Sequence, residues 1–581
     1  MKNNFYPRLW LLLASLAIVV ASCTKTEDML RGTSINVDTE LLLNPLNIQI
    51  VADPNESQLP SDLDVDVTGP DADKVYTVFG EKKLEVNVNE ADPRIAMLPI
   101  GIRRIEPVSS VNPIEFSLIL KAEGYNTVTR NYRISSLEED MCNIRLLRTD
   151  NTADGIQTEG ARFIVNEKGA PQPVSFQTRR NSKDEYVKVE VQQGTRMFTA
   201  DGETVVGDVD AALNHYNFRV QGVNEMAPAS LYSNAAVDKD GNVLSLSSFD
   251  LLAMYTLDMH ASSGEVRSFS KPLDVTVQVQ ADATNPATSE RIKAGDVIPV
   301  WSYNEKLGEW QEETTATITT GTGGMLYANF EQEHLSIWLL GGRFPCRDQT
   351  RVLVTNNEQQ RNGPKRYYYV EVYRASDNTV LWTDYTRFYD NESIELFAGF
   401  TIPIYFRIYS EPAEACSTQE VLFESEVFNS CGGEIEVDVT EALLQTDLDR
   451  VRMFVEVAGT CSSDFNDLVV RPSLPILYRE NGCETWQPMG WLRNGEGATQ
   501  ALERGKYYDF RISHRTLDRC IFNLQVPLQD TTVLVDSPVY NFMEEIDVVY
   551  EGDDIRFNYT DIQVPDLACD EYVDYLNDVP R

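Results

Sequence analysis

From Leu273 to Val279 the chain reads LDVTVQV, with apolar residues at every second position. A strand has a side-chain period of two, so this pattern buries one face and wets the other. The same alternation marks KLEVNVN (Lys83 to Asn89), YYYVEVYR (Tyr367 to Arg374) and EIEVDV (Glu434 to Val439). Such runs, separated by Asn, Asp, Gly and Pro turns and with scarcely any helical periodicity, predict an all-β chain of tandem β-sandwiches. Any helices should be brief. At 581 residues the chain is long enough for about three to five cores.

The N-terminus follows a different rule. Lys2 and Arg8 precede an apolar run from Leu9 to Val20 that only Ser15 interrupts, and Val20-Ala21-Ser22-Cys23 follows. Twelve residues suit the apolar segment of an export leader, because spanning a bilayer needs about 20. The small residues before Cys23 resemble the bacterial lipobox, whose cysteine is acylated and becomes the new N-terminus. The resemblance implies a leader over 1–22 and a lipid anchor at Cys23, with several acyl chains holding the protein to a membrane. Thr24 to Asp28 begins a polar, acidic tether over 23–34. Its acidic pair resembles the surface-export signal of Bacteroidota lipoproteins, which implies an outer-membrane protein facing the exterior.

Charge narrows the partners. Without Lys2 and Arg8, 48 basic residues face 90 acidic ones, a net charge of −42. Such a surface repels nucleic acid and anionic lipid. With 42% hydrophobic residues the chain is not a disordered one.

Beyond Cys23 there are eight cysteines: Cys142, Cys346, Cys416, Cys431, Cys461, Cys483, Cys520 and Cys569. An even number in an exported protein permits disulfides, and the last seven are the candidates. Spacing does not give their pairing. With no C-x-x-C and four histidines, a zinc cluster is not expected.

Residues 35–150 form the first expected sandwich. Within it FSLILKAEGYNTVTRNYRI (Phe116 to Ile134) reads as two strands joined around Glu123-Gly124-Tyr125. A strand, a GY pair and a second strand resemble carboxypeptidase-regulatory-like and transthyretin-like (Ig-like) sandwiches of bacterial surface proteins. Residues 157–344 form the second region. There Trp301, Tyr303, Gly308, Trp310, His334, Ser336 and Trp338 resemble a surface-protein sandwich module with W-x-Y, G-x-W and H-x-S-x-W strands. Asn304 to Gly308 reads as the turn between its first two strands. That resemblance implies a structural or adhesive role.

The remainder contains a duplication. Trp382, Arg407 and Cys416 precede Trp486, Arg511 and Cys520 by 104 residues, and PIYFRIYS and YYDFRISH surround the arginines. A second block, SEVFN and SPVYN followed by EIEVDV and EIDVVY, matches after an insertion. Two related sandwiches, 346–445 and 446–564, are expected, followed by an acidic tail over 565–581 pinned through Cys569.

Candidate chemistry is sparse. His215, His260, His334 and His514 lie far apart, and no G-x-S-x-G, H-E-x-x-H or phosphate-binding glycine loop occurs. His334 and Ser336 share a strand face, but a catalytic pair also needs an orienting acid and an oxyanion site. A structural hydrogen bond is the expected role. DKDGN (Asp238 to Asn242) carries calcium-type oxygen donors without the bidentate glutamate, so it reads as a hairpin turn. Trp491 has no counterpart in the duplicate and is the candidate ligand-binding aromatic, a platform for a sugar ring; Trp486 matches Trp382 and is expected in the core. No cofactor or metal is expected. The function expected is a non-enzymatic, lipid-anchored surface protein that binds a glycan, matrix component or envelope protein. The alternatives are an accessory structural subunit of an outer-membrane uptake or adhesion assembly, and a surface hydrolase whose site carries no recognisable motif.

Overall fold

The computed structural model describes residues 42–563, with short gaps, and Cys569; residues 1–41, 345–349, 356–365, 411–419 and 430–433 are among those outside the described set. Cys23 and the tether, and likewise Cys346, Cys416 and Cys431, therefore lie outside the described residues. The chain is all-β, arranged as successive sheet units, and its described helices are short: Val223–Met226 and Thr440–Asp447 are the α-helical ones.

In the first unit Leu42–Val51 pairs antiparallel with Asp92–Arg103 and parallel with the last strand, Asp140–Arg145. The opposing sheet holds Asp64–Thr68, Ile114–Lys121 and Val128–Ile134. The last two form the expected pair around Gly124, whose φ of +77° is the left-handed conformation that glycine adopts without a Cβ penalty. Ile48, Ile50, Leu98, Ile100, Phe116 and Leu118 fill the space between the sheets.

The second unit departs from the expectation of two separate sheets. Its hydrogen bonding runs continuously through fifteen strands, from Val174–Gln177 at one end of the main path to Ile156–Val165 at the other. Phe163 and Val165 from one end share a single core with Phe176 from the other. The sheet is thus wrapped around its own apolar face, which removes the need for a second sheet. Val297–Asn304 and Glu309–Thr320 flank the expected turn, which the Gly308 amide closes on the Asn304 carbonyl at 2.8 Å.

The third and fourth units carry the duplication as topology. In the third, Val380–Thr386, Tyr368–Arg374, Pro403–Tyr409 and Val421–Glu424 form one sheet in that order. In the fourth, Gln487–Leu492, Leu474–Glu480, Tyr507–His514 and Leu517–Gln525 repeat it. The opposing sheets also correspond. Each pairs its first strand in parallel with its last, Thr350–Thr355 with Glu434–Asp438 and Arg452–Thr460 with Asp554–Gln563.

The second sequence block is not equivalent in the fold. EIEVDV supplies the closing parallel strand of the third unit, whereas EIDVVY lies in Phe542–Glu551, one strand before closure. The fourth unit inserts the antiparallel pair Thr531–Ser537 and Phe542–Glu551, and this extra hairpin displaces the match.

Candidate functional residues and the joints between units

Several of the residues singled out by sequence lie at contacts between units. The joint between the first and fourth units shows why. Gln49 lies on Leu42–Val51, between Ile48 and Ile50, so the period of two turns it away from the core of its own unit. Its Nε2 donates to the Trp486 carbonyl at 3.2 Å, and its Oε1 accepts the Trp486 amide at 3.1 Å. The Trp486 indole Nε1 donates to Asp92 Oδ2 at 2.9 Å. Arg479 lies 4.4 Å from the centre of the same indole and pairs with Asp92 and Asp509, each at 2.9 Å.

Around this polar frame Val51, Ile95, Met97 and Met141 meet Leu477, Trp486 and Cys520 in one apolar cluster. Arg511, fully buried, donates to the Ile95 carbonyl at 3.1 Å. Trp486, Arg511 and Cys520, the three residues that carry the repeat register, are thus all interface residues. Trp486 is buried as expected, but against the first unit rather than in the fourth unit's core. Its counterpart Trp382 packs against the core of the third unit, and Arg407 pairs with Glu424 at 2.6 Å as a half-exposed group.

The joint between the first and second units uses the aromatic motif. Tyr303 Oη donates to Asn131 Oδ1 at 3.0 Å, and Ser117 Oγ donates to the same oxygen at 2.6 Å. Gly308 faces Ser117 so closely that a Cβ built there would stand 2.2 Å from Oγ. Trp310 meets Tyr303 edge-on at 4.9 Å and donates to the Ser230 carbonyl at 3.0 Å. The Trp301 indole donates to the Gly341 carbonyl at 3.1 Å. Of the motif's aromatic residues Tyr303 thus bonds across the joint, while Trp301 and Trp310 bond within the second unit.

Between the second and third units Arg374 is the central group. It pairs with the fully buried Asp250, bonds the Leu251 carbonyl at 3.0 Å and reaches Asp377 at 3.3 Å. Arg219 of the second unit approaches Asp377 at 2.9 Å. Burial pushes the Asp250 carboxyl up to about 6, outweighing the pull of Arg374. His215 lies nearby, its Nδ1 3.0 Å from Gln157 Oε1, and burial lowers it to about 4, so it is neutral at pH 7.

YYYVEVYR behaves differently from its pattern. One buried face was expected, yet Tyr368–Arg374 is buried at all seven positions. Tyr369 donates to Glu225 of the second unit at 3.1 Å and packs with Tyr367, Tyr385 and Tyr409. Trp491 of the fourth unit leans on this tyrosine cluster, with its ring centre 6.0 Å from that of Tyr367. At Trp491, the candidate sugar platform, the indole is half-buried, one side packs on Tyr367, and its Nε1 has no hydrogen-bond partner among the described residues.

The histidine–serine pair does not form a dyad. His334 Nε2 lies 3.2 Å from Glu313 Oε1, and Ser336 Oγ donates instead to the Tyr303 carbonyl at 2.7 Å. Ser302 Oγ donates to the same Glu313 oxygen at 2.6 Å. These bonds hold Glu313 below the usual carboxylate range, chiefly through His334, while Glu313 raises His334. Asp238 Oδ1 accepts the amides of Asp240 and Asn242 at 2.9 and 2.8 Å, the geometry of a hairpin turn. Among the described residues no group of three or more His, Cys, Asp or Glu is placed to hold a metal ion.

Of the disulfide candidates, Cys461 and Cys569 are bonded to each other, with Cα atoms 6.1 Å apart. Cys483 is also disulfide-bonded. Cys520 is corrected: it is a buried thiol of the joint with the first unit.

No family model matches the chain, and no curated protein does. Among solved structures, the pilus adhesin SpaC from Lactobacillus rhamnosus GG aligns at 7% identity over 87% of this chain and 56% of its own, with a TM-score of 0.11. The major pilin RrgB from Streptococcus pneumoniae aligns at 8% identity over 68% of this chain and 99% of its own, with a TM-score of 0.12. The chain thus spans little more than half the length of the adhesin. No helix among the described residues is long and apolar enough to cross a membrane.

Proposed function

We propose that this chain is a non-enzymatic, lipid-anchored surface protein whose β units act together as a structural or adhesive body. The anchor reading rests on Cys23 after Val20-Ala21-Ser22, behind an apolar leader. The observation that carries the structural role is the joint of Gln49, Asp92, Trp486 and Arg511, which fastens the last unit to the first. Modules that recognise ligands independently need no buried contact between the two ends of the chain. Here Trp486, Arg479 and Arg511 are engaged in such a contact. The packing of Trp491 against Tyr367 likewise favours a docking or scaffold role over glycan recognition.

The test is protease shaving of intact cells beside a periplasmic control, with wild type and Cys23→Ala compared. The reading expects wild type to be degraded while the control survives, and Cys23→Ala to leave the membrane fraction. Protection of wild type would remove the surface assignment, and membrane retention of Cys23→Ala would remove the anchor. Detergent co-purification then separates the roles. A stoichiometric envelope partner supports the scaffold, whereas a lone protein retained by a glycan column supports recognition.

A further inference from the structure

A cleft opens at the joint between the second and third units. His215, Arg219, Leu251 and Gln280 line it from the second unit, and Arg374 and Asp377 from the third. Its free space, solvent at the mouth included, is about 360 Å³. Asp377 is fully engaged. Its Oδ1 accepts the Thr379 amide at 3.1 Å and the Thr379 hydroxyl at 2.8 Å, and its Oδ2 accepts from Arg219 at 2.9 Å and Arg374 at 3.3 Å.

Two donors in the same wall are not engaged. Gln280 is only 9% exposed, and its Nε2 has no hydrogen-bond partner among the described residues. Arg374 is 2% exposed; its terminal nitrogens bond Asp377 and the Leu251 carbonyl, but its Nε has no partner among the described residues. Buried N–H groups are normally satisfied, so two orphans lining one cleft mark a place for an acceptor. His215 supplies the opposite valence. Its Nδ1 donates to Gln157 Oε1 at 3.0 Å, and the ring is neutral at pH 7, so its Nε2 carries a lone pair.

We propose that this cleft binds a hydroxyl group of a carbohydrate. A hydroxyl accepts from two donors and donates one proton, which matches Gln280 Nε2, Arg374 Nε and His215 Nε2. A carboxylate or sulfate would use the two donors but would face the His215 lone pair and the carboxylates of Asp377 and Glu185 in the same wall. Water offers the valence of a hydroxyl, but the open mouth and the apolar Phe218 and Leu251 suit one carried on a ring. Trp491 takes no part in the cleft. The site gives the adhesive part of the function proposed above its chemistry, and its test does not involve the anchor.

Saturation-transfer NMR of the chain without its leader tests it at pH 7, with the methyl glycosides of glucose, galactose, mannose and N-acetylglucosamine as probes. At least one should bind saturably, with millimolar affinity, and acetate at matched ionic strength should not displace it. Gln280→Leu removes a donor that has no partner in the free protein. Its urea midpoint should therefore equal or exceed that of wild type, while its affinity for the glycoside falls by about fivefold. Gln280→Ala should lose affinity in the same way and serves if the first variant does not fold. No saturable binding of any of the four probes up to about 50 mM, displacement by acetate, or unchanged affinity in the folded variants would overturn the site.

Discussion

Trp486 and Asp92 stand 394 positions apart in the chain, yet the indole Nε1–H of the first donates to the carboxylate of the second at 2.9 Å. Together with Gln49 and Arg511 this bond returns the fourth unit to the first. Trp486→Phe keeps an aromatic ring but removes the donor and part of the indole volume, while Asp92 retains Arg479. It should cost about 1–3 kcal/mol. Trp486→Ala also opens a cavity at the joint and should cost about 3–5 kcal/mol. Urea denaturation of the chain without its leader reads both. Equal stability of wild type and Trp486→Ala would mean that the joint contributes nothing.

Arg374→Met leaves the buried Asp250 without its cation and should cost about 3–5 kcal/mol at pH 8. The sign with pH follows from Asp250, which burial raises to about 6. A raised carboxyl weakens the fold as pH climbs from the ordinary carboxylate range through its folded value. Removing Arg374 raises it further, so the variant should recover part of its deficit between pH 8 and pH 5. A deficit that does not change with pH would rule out an ionised Asp250 as its origin.

Gly308 has a φ of +70°, and a Cβ there would lie 2.2 Å from Ser117 Oγ and 2.8 Å from Ser117 Cβ. Gly308→Ala should cost about 1–3 kcal/mol through strain and overpacking. Adding Ser117→Gly removes the clash but not the backbone strain, so the double variant should recover only part of the loss. Thermal unfolding of the single and double variants checks this through a double-mutant cycle.

The Cys461–Cys569 bridge closes a sequence separation of 108 residues. Cys569→Ser should lower stability by about 2–5 kcal/mol. Thiol labelling gives an independent reading: Cys520, buried in the joint, should react only after denaturation. Rapid labelling of Cys520 in the native protein would show that the first and fourth units separate.

One joint carries a sequence signal that strand alternation alone does not register. The run Ile95 to Ile102, IAMLPIGI, lacks the polar alternation of a half-exposed strand, and positions 95–102 are all buried. An unbroken apolar run signals a strand covered on both faces. The YYYVEVYR strand concealed its second contact, because Tyr and Glu read as a wet face until Tyr409, Trp491 and Glu225 are brought to it. Trp491 gave no sign of its neighbour, since Tyr367 lies in a different unit.

By itself the sequence determined the strand period, the turns, the brevity of the helices and the repeated strands of the last two units. Each of these is settled by residues close together in the chain, through backbone sterics and side-chain alternation. Only the tertiary structure decided that the second unit wraps one sheet around its core, that Phe542–Glu551 is an inserted strand, and that Trp486, Arg511 and Cys520 face the first unit. Those outcomes depend on which surfaces meet after the strands have formed. A buried tryptophan in its own core and one in a neighbour's interface obey the same local pattern, and only long-range packing separates them.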